Sequence, residues 1–204
     1  MNRKKQGMAR TRGEETRARI LAAAAECFAL HGYDATGVAE ICQRAGVTKG
    51  GFYHHFPSKQ AVFLELLQQW LAALDAQFQA VRNSALSVPQ ALMQMAGMVG
   101  QVLTAANKQL PIFLEFWGQA AREPAIWQAT IAPYRHYRDF FAAMIEAGIA
   151  EGTLQPVDPQ IAAHLLVSMA VGLVLQGVLD PTGADWGQVT QESVRLFLDA
   201  VERK

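Results

Sequence analysis

Lys49, Tyr53, His54 and His55 fall on one short segment, with Lys59 just beyond it, inside residues 36–59, TGVAEICQRAGVTKGGFYHHFPSK. A lysine neutralises a phosphate and releases its counterions. Tyr53 and His55 are of types that donate to phosphate oxygens, contacts that position a protein on a duplex without reading its sequence. Thr48, Lys49 and His54 are of types that reach base edges in a major groove. Other chemistries lack their residues. The histidines are scattered, and Ser168 has no nucleophile motif around it, so a Ser–His–Asp set is not expected. Gly50–Gly51 lacks the spacing of a phosphate-binding loop. His54 and His55 are adjacent, hence on different sides of a helix, and Cys27 and Cys42 lack partner spacing, so no metal and no cofactor is called for.

A contact of this kind needs a rigid frame. Val38, Ile41 and Cys42 mark the buried side of a short helix, Gly46–Val47 makes a tight turn, and a second helix covers 48–56 with Thr48 as its N-cap. Gly46 suits the left-handed position after the first helix, where a side chain clashes. Ile41, Val47, Phe52 and Phe56 are placed to pack on Ala24 and Phe28 of a preceding helix, which leaves the other face of 48–56 outward. Gly50 and Gly51 each cost about 1 kcal/mol relative to alanine inside a helix. Close approach of the backbone to DNA is one reason to tolerate that; a frayed first turn, where the cost is small, is the other.

Upstream, Ile20, Leu21, Ala24, Cys27 and Phe28 recur at helical spacing from residue 16 to 30, and Gly32 stops that helix. Downstream, Ser58 caps a longer helix through Leu64, Leu67, Leu71, Leu74 and Phe78 to near residue 82. Ser87 and Gln90 fit a capping box. Asp158–Pro159 and Asp185–Trp186 offer further helix starts. The expectation is an all-α protein of about nine helices. Its N-terminal part is a three-helix helix–turn–helix unit and its C-terminal part a helical body.

The formal net charge of zero hides a split. Residues 1–59 hold ten lysines and arginines against five acids, net +5, and residues 60–204 hold eight against thirteen, net −5. A basic end on a neutral chain suits a nucleic-acid partner. For the basic leader (Arg3, Lys4, Lys5, Arg10, Arg12) two readings stay open: a minor-groove or phosphate contact, and a solvated tail. The polar leader carries no apolar signal region, and two cysteines in apolar segments suit reduced thiols, so a cytoplasmic location is expected. Residues 161–179 are nearly all apolar and long enough to span a membrane. His164, Ser168 and Gln176 inside them, and the N-cap before them, favour a helix buried on several faces, and no membrane is expected.

The run AGVTKGGFYHHFPSK, with TRARILAAAAECFALHGYDATGV before it, resembles the signature of the TetR family of bacterial transcriptional regulators over about residues 10–65. The resemblance implies an all-α regulator, most simply a repressor, that binds palindromic double-stranded operator DNA as a homodimer. It implies no enzymatic activity. It implies residues 1–57 as the arm and DNA-binding domain and 58–204 as the ligand-binding and dimerisation domain, with a small, largely apolar effector of unknown identity releasing the DNA. Thr48, Lys49, Gly50, Gly51, Tyr53, His54, His55 and Lys59 match the positions that supply DNA contacts. Gly51 departs from a usual Thr or Ser. Gly37 departs from a usual Ser or Thr cap, so Thr36 is expected to take over the phosphate contact there.

In the C-terminal part, Met93, Met98, Phe113, Phe116, Trp117, Tyr134 and Tyr137 suit an adaptable apolar pocket, although such stripes at helical spacing are more often ordinary core. His164 would orient a ligand, or sit as a satisfied core histidine. Apolar faces containing Leu165, Met169, Leu173 and Gln176 on one helix and Leu196, Phe197 and Val201 on another are expected to form a four-helix bundle between two copies.

Overall fold

The computed structural model describes residues 2–105, 120 and 124–203. Its described residues form eight helices and no strand: α1 (Asn2–His31), α2 (Val38–Ala45), α3 (Lys49–His55), α4 (Lys59–Arg82), α5 (Val88–Ala105), α6 (Pro124–Ala150), α7 (Pro159–Leu179) and α8 (Trp186–Val201). One expectation needs correcting. The first helix does not begin near residue 16; it runs unbroken from Asn2. The leader has no proline, and its lysines, arginines, glutamates and alanine are good helix formers that outweigh Gly7 and Gly13.

The helix ends follow from local chemistry. Thr48 Oγ1 accepts from the amide of Gly51 at 3.0 Å, and Ser58 Oγ from that of Ala61 at 3.1 Å. Asp158 caps α7 through the amides of Gln160 and Ile161, with Pro159 in the first turn where no donor is missed. The Ser87–Gln90 box shows its return half, with the Ser87 amide donating to Gln90 Oε1 at 3.1 Å. Gly46 closes α2 in the left-handed region at φ 64° and donates to the carbonyls of Cys42 and Gln43. A Cβ there would be strained by the backbone itself.

Buried side chains gather in two clusters. The first joins Ile20, Ala24 and Phe28 of α1, Ile41 of α2, Phe52 of α3 and Phe63 of α4, with Phe56 beside them and Val47 partly buried against them. It is the packing set read from the sequence. The second joins Phe78 and Val81 of α4 to α5, α6, α7 and α8. Helix α4 therefore enters both cores, its first half through Val62, Phe63 and Leu67 and its last turns through Phe78 and Val81. In the C-terminal body α5 packs mainly on α8 and α6 on α7. The Gln155 amide donates to the Val201 carbonyl at 2.8 Å and fastens the loop after α6 to the end of α8.

Gly46→Ala is expected to destabilise the protein by about 1–2 kcal/mol. At Gly37 the φ is −95°, nothing lies within 4 Å of an added Cβ, and no side chain caps α2. Gly37→Ser is expected to stabilise by about 0.5–1 kcal/mol. Chemical denaturation of the three proteins checks both signs.

Candidate nucleic-acid interface

Helix α3 is a seven-residue segment held by one buried side chain. Phe52 is wholly buried, and Phe56, just after the helix, is nearly so. With Phe52 inward, the helical turn throws Thr48, Lys49, Tyr53 and His54 outward, and all four are exposed. Tyr53 keeps 54% of its surface in solvent although its ring meets Phe52 edge-on at 5.3 Å. A large aromatic left that open on a basic helix is placed to meet a partner rather than the core. The Thr48 oxygen serves the cap, and its hydroxyl hydrogen still has an acceptor to find.

Gly50 and Gly51 are not demanded by the protein's own packing. A Cβ at Gly51 would touch Thr48 Oγ1 at 3.4 Å and Val47 Cβ at 3.8 Å, and one at Gly50 would meet nothing closer than 3.9 Å. Neither has the positive φ that would explain glycine. What their missing side chains leave is a bare backbone beside Lys49 on an outward face.

His54 and His55 lie edge to face, ring centroids 5.1 Å apart. His55 is half-buried, and its pKa is lowered, first by burial and then by the charges of His54 and Arg17. The lowered pKa favours the neutral imidazole near pH 7, which still carries one ring N–H to donate. Arg17 of α1 stands 4.9 Å from the Phe56 ring centre and pairs with Glu65 of α4. This ties the end of α3 to two other helices. That hydrogen bond to Arg17 holds the Glu65 carboxyl below its ordinary range despite burial.

Two expected contacts sit differently. Thr36 is 1% exposed, and its hydroxyl donates to the Gly32 carbonyl at 2.7 Å. It closes the turn between α1 and α2, with its hydroxyl turned inward rather than toward a phosphate. The Lys59 ammonium donates to the carbonyls of Tyr33 at 2.6 Å and Thr36 at 2.9 Å, approaches that of Asp34 at 3.5 Å, and lies 4.1 Å from the Tyr33 ring centre. It faces back into the protein.

The expected pocket residues are divided. Met93 and Met98 are half-buried against the second core. Tyr137 donates to the Leu71 carbonyl at 3.2 Å and packs on Phe78, and burial, aided by Asp75, pushes its pKa up to about 12. Tyr134 Oη stands 3.5 Å from Nδ1 of His164, which is exposed and not a core histidine. Phe113, Phe116 and Trp117 lie outside the described residues. Of the expected dimer residues, Leu165 and Leu196 are 57% and 71% exposed, Gln176 is exposed, and Met169 and Phe197 are half-buried. Leu173 and Val201 are instead buried within one chain, so they belong to its own core. Ile161 and Leu179, which the sequence reading did not single out, are exposed along with Leu165 on α7. On a helix apolar all round, periodicity does not say which face looks out.

A helix–turn–helix unit with an outward, basic second helix, carried on an all-helical body, defines a class of DNA-binding regulators. Residues 20–66 match the profile described as bacterial regulatory proteins, tetR family, and residues 90–202, over half the chain, that of the BetI-type transcriptional repressor C-terminal region. The chain belongs to the tetR family and is a transcriptional regulator. Among its relatives is the A-factor receptor protein of Streptomyces griseus, 28% identical over 88% of this chain; the match spans 62% of that protein's own length. Another is the HTH-type transcriptional repressor KstR2 of Rhodococcus jostii, 26% identical over 74% of each chain. A solved regulator from Saccharomonospora viridis, in complex with choline, shares the fold with a TM-score of 0.82 at 21% identity, covering 94% of this chain and all of that one.

The Arg17–Glu65 pair generates a pH prediction. Glu65 has a depressed folded pKa, so its contribution is present above the unfolded value and is lost as pH falls through the folded one. Both partners are partly exposed, so Glu65→Gln is expected to cost under about 1 kcal/mol at pH 7. The two proteins should converge in stability below about pH 3. Urea titrations across that window measure it, and a gap that persists at low pH would count against the pairing.

Proposed function

We propose that this protein binds double-stranded operator DNA as a twofold homodimer, with α3 of each copy in a major groove, and that a small, largely apolar effector releases it. The single observation carrying the DNA reading is the outward face of α3. Lys49 and Tyr53 project from it, and Gly50 and Gly51 keep it bare although nothing inside the protein requires glycine there. Lys49 would neutralise phosphate, Tyr53 and the neutral His55 would bond phosphate oxygens, and Thr48 and His54 would face base edges. The repressor named among its relatives makes repression the simplest mode. On this reading residues 1–57 read DNA and 58–204 bind the effector and the second copy, with α4 shared between them. Its action is that of a cytoplasmic regulator and not an enzyme.

The homodimer reading rests on α7 and α8. Ile161, Leu165, Leu179 and Leu196 leave large apolar side chains in solvent on these two helices. A second copy turned by a twofold axis would bury them in a four-helix bundle and hold the two α3 helices about 34–36 Å apart, or a multiple of that. The effector reading rests on Met93, Met98, Tyr134 and Tyr137, which carry flexible and aromatic surface on the helices flanking α4.

Selection from a randomised duplex pool should enrich an inverted repeat with half-sites one or more helical turns apart. No enrichment over bulk duplex would sink the proposal. On the selected site Lys49→Ala should flatten the slope of log affinity against log salt by about 0.9 per subunit. Tyr53→Ala should weaken binding about 3- to 10-fold. Leu165→Glu with Leu196→Glu should yield monomers by analytical ultracentrifugation and abolish the tight complex.

A further inference from the structure

We propose that Lys59 is a positioning residue that ties the first turn of α4 to the chain entering α2, and is not one of the phosphate contacts. The inference rests on the DNA reading above and concerns how the reading unit is held and moved. An ammonium has three donors and no acceptor. Lys59 directs them at the carbonyls of residues 33, 34 and 36. Tyr33 and Thr36 are buried residues, and Tyr33 also presents its ring face to the cation. That ring is fixed in turn, 4.4 Å from the Phe63 centroid and 5.4 Å from that of Phe28. To reach a phosphate, Lys59 would have to leave these carbonyls and the ring.

The place of this contact gives it a consequence. Residues 33–36 lead from the left-handed Gly32, with φ 80°, to Gly37 at the start of α2. The Thr36 hydroxyl returns to the Gly32 carbonyl and stiffens the same turn. Lys59 thus fastens α4 to the entry of α2, and Gly46 carries α2 into α3. Further along α4, Glu65 holds Arg17, which lies over Phe56 at the exit of α3. The helix–turn–helix unit is gripped by α4 at both ends, and Lys59 is the grip at its beginning. A displacement of α4 would reach α3 through α2 as a rigid movement.

Amine acylation of the intact wild-type protein, read by mass spectrometry with and without the selected duplex, tests this without a variant. Lys49 should react readily when free and be protected by DNA. Lys59 should react slowly in both states. A Lys59 that reacts as readily as Lys49 in the free protein overturns the proposal. A Lys49 unprotected by DNA would overturn the reading of α3 instead, leaving the Lys59 result standing. Lys59→Met should lower duplex affinity with an unchanged salt slope, raise amide exchange in residues 33–37, and be largely rescued in Lys59→Arg. A slope flattened by about 0.9, as for a lost phosphate contact, would refute the assignment.

Discussion

A seven-residue helix with two glycines near its start has no stability of its own, because nucleation costs more than so few hydrogen bonds return. Everything at the reading end depends on supplying that deficit from outside. Phe52 does most of it by entering a core already built from Phe28, Ile41 and Phe63. Removal of such a side chain costs about 3–5 kcal/mol, more than the glycines lose together. Thr48 caps the first turn and Phe56 anchors the exit. The outward face is then released from structural duty and can carry residues chosen for a partner.

The same constraint explains why α4 cannot be assigned to one half of the molecule. Its first turns complete the core that holds α3, and its last turns lie in the core of the C-terminal body. Between these, α6 grips it through the Tyr137 hydroxyl on the Leu71 carbonyl and through His136, whose Nε2 lies 2.8 Å from Asp75. Raised well above neutrality, the Tyr137 hydroxyl keeps its proton and remains a donor. A continuous helix fixed at both ends and in the middle moves as a unit, so a shift in α6 has a short mechanical route to α3. Whether an effector uses that route depends on its differential affinity for two arrangements.

Much of this was legible in the sequence where the determinants are local. Caps at Thr48, Ser58, Asp158 and Asp185, the left-handed Gly46, and the spacing that buries Ile20, Ala24 and Phe28 are decided within a few residues. Other contacts have long-range causes. Lys59 has the type and position of a phosphate ligand, and only the fold reveals carbonyls from residues 33, 34 and 36 around it. Thr36, beside Gly37, has the hydroxyl of a phosphate contact, yet the turn after Gly32 points it inward. Cys27 and Cys42 are buried, and burial raises both thiol pKa values, which fits unreactive core residues.

Helix α7 shows where pattern reading runs out. By length and composition it is apolar enough to cross a membrane. Its surroundings argue for a protein partner instead. One side, through Ala162, Leu166 and Leu173, is committed to the chain's own core, so only the remaining side seeks cover. That side mixes Ile161, Leu165 and Leu179 with the polar His164, Ser168 and Gln176. In hydrocarbon the donors and acceptors of these groups that are not paired within the chain would lack partners, at a cost of several kcal/mol. Within the chain Gln176 donates to the Gly172 carbonyl at 3.3 Å and His164 approaches Tyr134, and a second copy can meet the groups that remain. Apolar area with satisfiable polar groups is the composition of a protein interface. That composition favours the proposed twofold contact over a bilayer as the cover for the exposed leucines.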